Sequence, residues 1–236
     1  VPRLLNRIYS GISNKIAKQP KLIRNLFNKG LLLSQKKFSH ESLTIKEKMM
    51  LFLAERLLFK PIHKKFGGNI RFMLSGASAL SQEVVSFMHN INIPVYEGYG
   101  TTETCAATTV NTRQAYKIGS VGQPLPGVNI TINTSQSSNA NEGEIIVSGN
   151  SNMKSYYELP EKTQEVLSSD TSYKTGDLGY LDDDNFLYIT GRVSDHFKLE
   201  NGKFVSPVPI EEHIKLLNEV NQALIYGYNK PHTVAI

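Results

Sequence analysis

Residues 70–104 read IRFMLSGASALSQEVVSFMHNINIPVYEGYGTTET, and this stretch decides the fold class. It opens with a short, mostly apolar run of strand length, which a turn of small residues follows at 75–80. Ser81 is the predicted cap of the next helix, which carries Glu83 in its first turn, and Pro94 begins another strand. This order of strand, turn, helix and strand predicts an α/β unit with a parallel pair of strands.

The stretch before this unit, residues 1–66, reads as helical. Within it, five apolar side chains recur at helical spacing, namely Ile45, Met49, Phe52, Leu53 and Leu57. Thr44 and Glu47 fit a capping box ahead of this stripe, and Pro61 is expected to end the helix. We expect the stripe to lie in the hydrophobic core rather than at a cofactor site.

The stretch after the unit has a period of two from residue 121 onward, which is typical of strands. Strands are predicted at 128–132, 144–147, 186–190 and 223–226, with a loop at 133–141. The acidic run at 182–185 is predicted to be a hairpin turn, because the glycine and distal glutamate of a calcium-binding EF-hand are missing. Pro209 is expected to open a short helix with Glu211 and Glu212 in its first turn.

The composition of the 236 residues, with 40% hydrophobic and 20% charged, excludes a wholly disordered, collagenous or disulfide-rich chain. Cys105 is the only cysteine, so no internal disulfide forms and a reducing compartment such as the cytoplasm is predicted. The longest apolar run, 49–54, is far shorter than the roughly 20 residues of a membrane-spanning helix. No signal peptide is evident, and we expect the chain to be a fragment cut at both ends.

The charge is unevenly distributed. Residues 1–71 hold 16 Lys and Arg against 3 acids, whereas the remainder holds 10 bases and 18 acids. A positive region attracts anions, so peripheral contact with a membrane surface is one interpretation and a set of helices with solvated basic faces is the other. Nucleic acid is not an expected partner, because no nucleic-acid-binding motif accompanies the bases.

Three clusters carry side chains suited to chemistry. In 96–104, two glycines allow close approach of a ligand, hydroxyls can donate to phosphate oxygens and Glu103 can hold a divalent cation. The interpretation is a nucleotide–metal site, and the alternative is a threonine-rich turn. In 173–179, Asp177 fits either a ribose diol or a local backbone cap. In 190–198, Arg192 and Lys198 can face a phosphate or lie in solvent.

Two other reactive side chains near these clusters are expected to take no part in chemistry. His196 is predicted to be an ordinary, partly exposed histidine. Cys105 has no activating partner nearby beyond Glu103, so a buried or inert thiol is expected.

Together the clusters resemble the adenylate-forming superfamily of acyl-CoA synthetases, luciferases and peptide-synthetase adenylation domains. Four ordered elements carry the resemblance: Tyr-Gly-x-Thr-Glu at 99–103, Gly-Glu at 143–144 followed by the tyrosine pair at 156–157, Tyr-x-Thr-Gly-Asp at 173–177, and Gly-Arg-x-x-Asp-x-x-Lys at 191–198. The segments at 1–3, 75–81 and 197–207 are similar to those of the long-chain fatty acyl-CoA synthetase branch.

The resemblance implies a role for individual residues. An ATP/AMP site is implied at Gly76, Ala77, Glu97, Gly98, Tyr99, Gly100, Thr101, Thr102, Asp177 and Arg192. Within it, Tyr99 would stack on adenine, Thr102 would contact the α-phosphate and Glu103 would hold Mg²⁺. Asp177, supported by Arg192, would bind the ribose hydroxyls.

Two implied residues concern the second half of the reaction. Lys198 would approach the adenylate or thioester, and Ser194 stands at the hinge position. Ser194 departs from the usual Asp or Lys of that position. The run at 153–155 also departs from the familiar approach to the tyrosine pair, and no contact is assigned to it.

The implied fold is α/β, with residues 1–193 forming the later part of a layered large domain and 194–236 beginning a small α+β domain. The implied reaction joins a fatty acid to ATP, giving acyl-AMP and pyrophosphate, after which coenzyme A displaces AMP. The family's phosphate loop and C-terminal lysine are expected outside this chain, so the fragment alone is expected to be inactive. Three alternatives stay open: an acyl-AMP ligase that loads a carrier protein, an aryl or short-acyl ligase, and a degenerate lipid- or nucleotide-binding module.

Overall fold

Helices occupy the first part of the chain and strands most of the rest. The computed structural model describes residues 2–77, 80–135, 141–217 and 219–236, and it divides the chain into two units. The first unit holds Val1–Ser75 and Leu80–Tyr96, and the second holds Gly76–Ala79 and Glu97–Ile236. The boundary predicted at residue 194 lies within the second unit and stays a prediction. The mixed α/β content confirms the predicted fold class.

The first unit contains five helices and one complete strand among its described residues. They are α1 (Pro2–Ala17), α2 (Lys21–Phe38), α3 (Ile45–Ala54), α4 (Lys60–Lys65), β1 (Met73–Ser75) and α5 (Gln82–Asn90), and a π-helical turn, Glu55–Phe59, joins α3 to α4. The helical prediction for 1–66 is therefore confirmed, with breaks at 18–20 and 39–44. Thr44 and Glu47 form the predicted capping box at the start of α3.

The expectation that Pro61 ends this helix is wrong. The π-helical turn places the Lys60 N–H on the Glu55 carbonyl, and Pro61 then falls in the first turn of α4. Since the first turn of a helix needs no N–H partner, proline is tolerated there and the helix continues to Lys65.

The prediction that the α3 stripe lies in the core is also wrong. Its five side chains are exposed in the first unit: Ile45 (86%), Met49 (63%), Phe52 (56%), Leu53 (41%) and Leu57 (57%). The buried face consists instead of Leu51, Ala54 and Phe59. Apolar residues occupy both faces of α3, so their spacing could not tell which face packs inward.

Close packing against α2 explains why the other face is buried. The rings of Phe27 and Phe59 meet edge to face with centroids 5.7 Å apart. A Cβ atom at Gly30 would lie 2.6 Å from that of Ala54, so the two helices approach closely only with glycine at this position. The small residues on α2 and α3 therefore select the inward face.

The strand and helix predicted at 70–90 are present, with a shorter strand. The Ser81 side chain accepts a hydrogen bond from the Glu83 N–H and caps α5, which buries Val84, Val85, Phe87 and Met88. β1 begins only at Met73, whose N–H donates to the Pro94 carbonyl at 2.8 Å, beside the start of β2 (Val95–Thr101). The parallel orientation of β1 and β2 stays a prediction.

The second unit continues β2 and adds two helices and ten strands among its described residues. They are β3 (Ala106–Val110), β4 (Gln123–Pro124), β5 (Val128–Asn133), β6 (Gly143–Gly149), α6 (Pro160–Val166), β7 (Tyr173–Leu181), β8 (Leu187–Arg192), β9 (Phe197–Lys198), β10 (Phe204–Val205), α7 (Pro207–Ile214), β11 (Ile225–Tyr226) and β12 (Val234–Ala235). A 3₁₀ turn, Thr102–Thr104, joins β2 to β3, which pair antiparallel.

Strands β5 to β8 form an antiparallel meander around an apolar cluster of Ile130, Ile145, Val147 and Leu187. The strands predicted at 128–132, 144–147 and 186–190 are thereby confirmed. The acidic run forms the predicted hairpin turn, in which Asp182 Oδ1 accepts the N–H groups of Asp184 and Phe186. Residues 136–140 of the predicted 133–141 loop lie outside the described residues.

The C-terminal expectations need correction. Helix α7 begins at Pro207 rather than Pro209, so its first turn holds no acidic residue. The strand predicted at 223–226 is β11, but it is not the last one, because β12 pairs antiparallel with it. Among the described helices of the whole chain, none has the length and apolar character needed to cross a membrane.

Candidate active site

A cavity of about 740 Å³ opens in the second unit where β2 ends. Its lining comes from four places in the sequence: Ala77, the 100–106 segment, β7 and the end of β8. The lining residues are Ala77, Gly100, Thr101, Thr102, Glu103, Cys105, Ala106, Tyr173, Thr175 and Arg192. The cavity therefore joins three of the sequence clusters that were predicted to carry chemistry.

Six of the predicted site residues line this cavity, namely Ala77, Gly100, Thr101, Thr102, Glu103 and Arg192. Four lining residues were not predicted. Cys105 is exposed, which excludes the buried thiol, whereas the alternative of an inert thiol stays a prediction. Ala106 follows it in the lining. Tyr173 and Thr175 lie two residues apart on β7, and the alternation of side chains along a strand is the signal that could have found them together.

Backbone geometry explains why β2 ends here in glycine and threonine. A Cβ atom at Gly100 would lie 1.7 Å from the Ala106 carbonyl oxygen, so no other residue fits beside β3. The buried Thr104 side chain then accepts the Thr101 N–H at 3.0 Å and donates to the Ala106 carbonyl at 3.1 Å. Cys105 and Ala106 both have positive φ, which reverses the chain into β3.

Glu103 faces the cavity and is held at two points. The Tyr156 hydroxyl donates to Glu103 Oε1 at 2.7 Å, and the Met153 N–H donates to the Glu103 carbonyl at 2.6 Å. The sequence assigned no contact to 153–155, and the structure adds this one from the Met153 backbone. Burial raises the pKa of Glu103, but hydrogen bonds led by the one from Tyr156 outweigh it and lower the pKa overall. The carboxylate is thus ionised at neutral pH.

Asp177 is not among the lining residues, and its side chain is only 8% exposed. Its Oδ2 accepts the Tyr99 hydroxyl at 2.7 Å, and its Oδ1 accepts Arg192 Nε at 2.8 Å. Burial first, and the Asp177 charge second, raise the pKa of Tyr99 far above its usual range. Each carboxylate oxygen retains a second lone pair, so the pair of contacts leaves Asp177 able to accept hydroxyl groups of a ligand.

Glu97 lies near the start of β2, and its surroundings differ from those of Glu103 and Asp177. It is buried, and its Oε2 has no hydrogen-bond partner among the described residues. Burial raises the pKa of Glu97 to about 7. The resemblance implied a place for this residue in the nucleotide site, and the structure adds that its side chain is a buried carboxyl group with a raised pKa.

The remaining predicted residues do not line the cavity. Gly76 lies against the backbone of Gly98, since a Cβ atom there would be 3.1 Å from the Gly98 carbonyl oxygen. Lys198 Nζ sits 5.6 Å from the centre of the Phe204 ring. Ser194 is exposed, and its hydroxyl donates to Asp195 at 2.8 Å. The roles implied for these residues stay predictions.

The side chains that line the cavity fit a magnesium ion that is bound together with a nucleotide. Among the described residues, no group of three or more His, Cys, Asp or Glu side chains is placed to hold a metal. One ionised carboxylate beside threonine hydroxyls suits Mg²⁺, which proteins commonly bind through one or two carboxylates, water and substrate phosphates. The cavity therefore fits a cation that arrives with a nucleotide.

The comparison with sequence relatives identifies the chemistry of similar proteins. The chain is 33% identical over 182 residues to a long-chain-fatty-acid–CoA ligase of Mycobacterium bovis. The aligned residues cover 77% of this chain and 29% of the relative. It is also 33% identical over 232 residues to long-chain-fatty-acid–CoA ligase 5 of Rattus norvegicus, covering 96% of this chain and 33% of the relative. The chain thus spans about a third of the length of these relatives.

Solved structures agree on the fold. The O-succinylbenzoate coenzyme A synthetase of Bacillus subtilis, in complex with ATP and magnesium ion, matches 70% of this chain and 35% of its own, with 30% identity and a TM-score of 0.60. The adenylation domain of a carboxylate reductase from Mycobacterium chelonae matches 100% of this chain and 33% of its own, with 22% identity and a TM-score of 0.69, and supports the fold alone.

A family model gives the most direct assignment. The model described as AMP-binding enzyme matches residues 1–157, which include Glu103 and the tyrosine pair. Arg192, beyond the matched residues, lies in the same unit as Glu103 and lines the same cavity, and its Nε donates to Asp177. The chain belongs to the AMP-binding enzyme family.

Proposed function

We propose that the protein containing this chain is an AMP-forming acid–thiol ligase that activates a long-chain fatty acid with ATP and transfers the acyl group to coenzyme A. The observation that carries the proposal is the cavity itself. It brings an ionised carboxylate, Glu103, and a guanidinium, Arg192, from elements 89 residues apart to one opening lined with threonine hydroxyls. Opposite charges and neutral donors around one space suit a metal-bound polyphosphate.

The reaction requires two anions to meet, because a carboxylate oxygen attacks the α-phosphorus of ATP while pyrophosphate leaves. Thr102 and Arg192 both line the cavity, and they would donate to the α-phosphate and neutralise charge there. Glu103 would hold the Mg²⁺, which supplies further neutralisation of the phosphates when bound. Asp177 would accept the ribose hydroxyls and Tyr99 would stack on adenine, which fixes the nucleotide for attack.

The second half of the reaction is assigned to the C-terminal part. We infer that residues 194–236 begin a small mobile domain, with Ser194 at its hinge and Lys198 carried toward the adenylate or thioester. The exposed position of Ser194 and the two-stranded β9–β10 sheet that carries Lys198 support this reading. The rest of the machinery would come from the full-length protein.

The acyl specificity rests on the relatives named long-chain-fatty-acid–CoA ligases. Solved structures with similar folds include ligases of other acids, such as O-succinylbenzoate and anthranilate, so the fold does not select the acid. The alternative functions are a ligase that loads a carrier protein and a lipid- or nucleotide-binding module without turnover.

The test is acid-dependent pyrophosphate release by the full-length protein, measured across a chain-length panel with and without coenzyme A. We expect release to peak with long chains and to turn over only with coenzyme A. A single stoichiometric burst that ignores coenzyme A would indicate a carrier-protein ligase. Absence of release with every acid would overturn the enzyme assignment, and ATP binding without release would indicate a binding module.

We also propose peripheral membrane contact, at the cytoplasmic face, through the outward face of α3. On the helix, Ile45, Met49, Phe52 and Leu53 form one exposed apolar stripe, with Lys46 on one side of it and Lys48 on the other. Lysines that flank an apolar stripe are typical of helices that lie in the interface of an anionic bilayer. The excess of bases in residues 1–71 complements the same surface.

This contact is tested with the full-length protein on vesicles of phosphatidylcholine alone or mixed with phosphatidylglycerol. We expect binding to the anionic vesicles that weakens with salt and is lost in the Ile45→Ser/Phe52→Ser variant. The matched control is Leu217→Ser, an exposed leucine outside the basic region. Unchanged binding by the double variant, or its unfolding because the rest of the protein covers this face, would overturn the proposal.

A further inference from the structure

The tyrosine pair at 156–157 contains two very different side chains. The Tyr156 hydroxyl donates to Glu103 Oε1 at 2.7 Å, whereas Tyr157 is 86% exposed. The two residues are adjacent and chemically identical, but only Tyr156 has a hydroxyl bonded to a residue of the cavity. The contact also joins positions 53 residues apart in the sequence.

Tyr156 is itself held in place by the chain around it. Its N–H donates to the Thr163 hydroxyl at 3.0 Å, and that hydroxyl donates to the Leu159 carbonyl at 2.9 Å. Three residues earlier, the Met153 N–H reaches the Glu103 carbonyl. The segment thus contacts Glu103 at both its backbone and its carboxylate, which fixes the approach of the tyrosine hydroxyl.

A hydrogen bond to one carboxylate oxygen restricts rotation of the whole group. Groups that bond to a metal ligand without touching the metal commonly orient it, and their loss lowers metal affinity by about 10–100-fold. The Tyr156 hydroxyl is a neutral donor, so it orients Glu103 without cancelling its charge. The arrangement is that expected of a support for a metal-binding carboxylate.

We propose that Tyr156 is a positioning residue that orients the Glu103 carboxylate toward the metal–nucleotide complex. The proposal rests on the function proposed above, in which Glu103 holds Mg²⁺. Tyr156 does not line the cavity, so the proposal adds a residue to the site. It also gives the two tyrosines different roles. Tyr156 acts through Glu103, and Tyr157 takes no part.

The test measures metal affinity directly in the full-length protein. Manganese, a magnesium substitute that gives an electron paramagnetic resonance signal when free, is titrated in the presence of ATP and without any acid. We expect Tyr156→Phe to weaken Mn²⁺ binding about 10-fold, while binding of metal-free ATP is unchanged. Tyr157→Phe is the matched control and is expected to bind Mn²⁺ like the unmodified protein.

A double-mutant cycle separates positioning from a general structural role. In a Glu103→Gln background, Tyr156→Phe should cause no further loss of Mn²⁺ affinity, because its effect passes through the carboxylate. A further loss of similar size, or equal effects of Tyr156→Phe and Tyr157→Phe, would overturn the proposal. If Tyr156→Phe is harmless but Glu103→Gln weakens Mn²⁺ binding, the positioning role fails while the proposed function stands. If Glu103→Gln is also harmless, the metal site of the proposed function fails.

A destabilised tyrosine variant does not remove the test. Thermal unfolding of each variant identifies loss of structure, and Thr163→Val then serves as the second variant, because it removes the hydroxyl that holds the Tyr156 backbone. It should weaken Mn²⁺ binding in the same direction and only when Glu103 is present. Equal loss with Glu103→Gln in place would count against positioning.

Discussion

Strand β2 and the 3₁₀ turn that follows it hold carboxyl groups in opposite states. Glu103, at the end that opens into the cavity, accepts a tyrosine hydroxyl, and its pKa is lowered because hydrogen bonds outweigh burial. Glu97, six residues earlier, is buried with an oxygen that has no partner in the described part of the chain, and burial raises its pKa to about 7. The comparison teaches that neighbours, and not residue type, decide which glutamate is a ready anion at neutral pH.

The strongest test of this comparison removes the charge at the open end. Glu103→Gln keeps the shape but loses the anion, and we expect adenylation in the full-length protein to fall about 1000-fold. The measurement is kcat/KM for pyrophosphate release. The control, Glu161→Gln, changes an exposed glutamate of α6 and should leave the rate unchanged. A rate near that of the unmodified protein would show that Glu103 is not the metal ligand.

The second test removes the titratable group of the buried Glu97. Because the folded protein holds the Glu97 proton to about pH 7 and the unfolded chain releases it near 4.5, stability is present at low pH and declines as the pH rises between these values. We expect the free energy of unfolding to fall by about 2 kcal/mol less across this pH range in Glu97→Gln than in the unmodified protein. Urea unfolding of the unmodified protein and of Glu97→Gln at pH 5 and pH 8 measures this difference. An equal change in the free energy of unfolding for both proteins would contradict the raised pKa of Glu97.

The third and smallest effect concerns Asp177, whose carboxylate is buried like Glu97 but partnered like Glu103. Asp177→Asn retains one acceptor oxygen for Tyr99 or Arg192 and loses the other. Since an amide accepts only one ribose hydroxyl, we expect the Kd for ATP to rise about 10-fold. Calorimetric titration of the full-length protein checks this. An unchanged Kd would place the ribose elsewhere.

Local sequence patterns predicted the elements around the site well. The alternation at 128–132 has one apolar face only, so it fixed the orientation of β5 without any knowledge of its neighbours. The Thr44 capping box and the Ser81 cap depend on residues within three positions, and both are present as predicted. The family motifs were likewise readable because their residues are close together in the chain.

Local patterns failed where the sequence was compatible with two structures, as for the inward face of α3. Helix α3 carries apolar residues on both faces, and its spacing alone indicated the wrong one. The inward face was decided by Gly30 of α2, which allows close approach to Ala54. Pro61 was misread for a related reason, since the preceding π-helical turn moved it to a position where proline is tolerated.

The sequence by itself determined the α/β class, most strand and helix positions, the caps and the residues that carry the family motifs. Only the tertiary structure decided the partner of Glu103, the state of Glu97 and the outward face of α3. Periodicity, caps and motifs depend on neighbours in the chain, whereas burial and hydrogen bonding depend on residues that are distant in it. Tyr156 and Glu103 are 53 residues apart, and only folding brings the hydroxyl to the carboxylate.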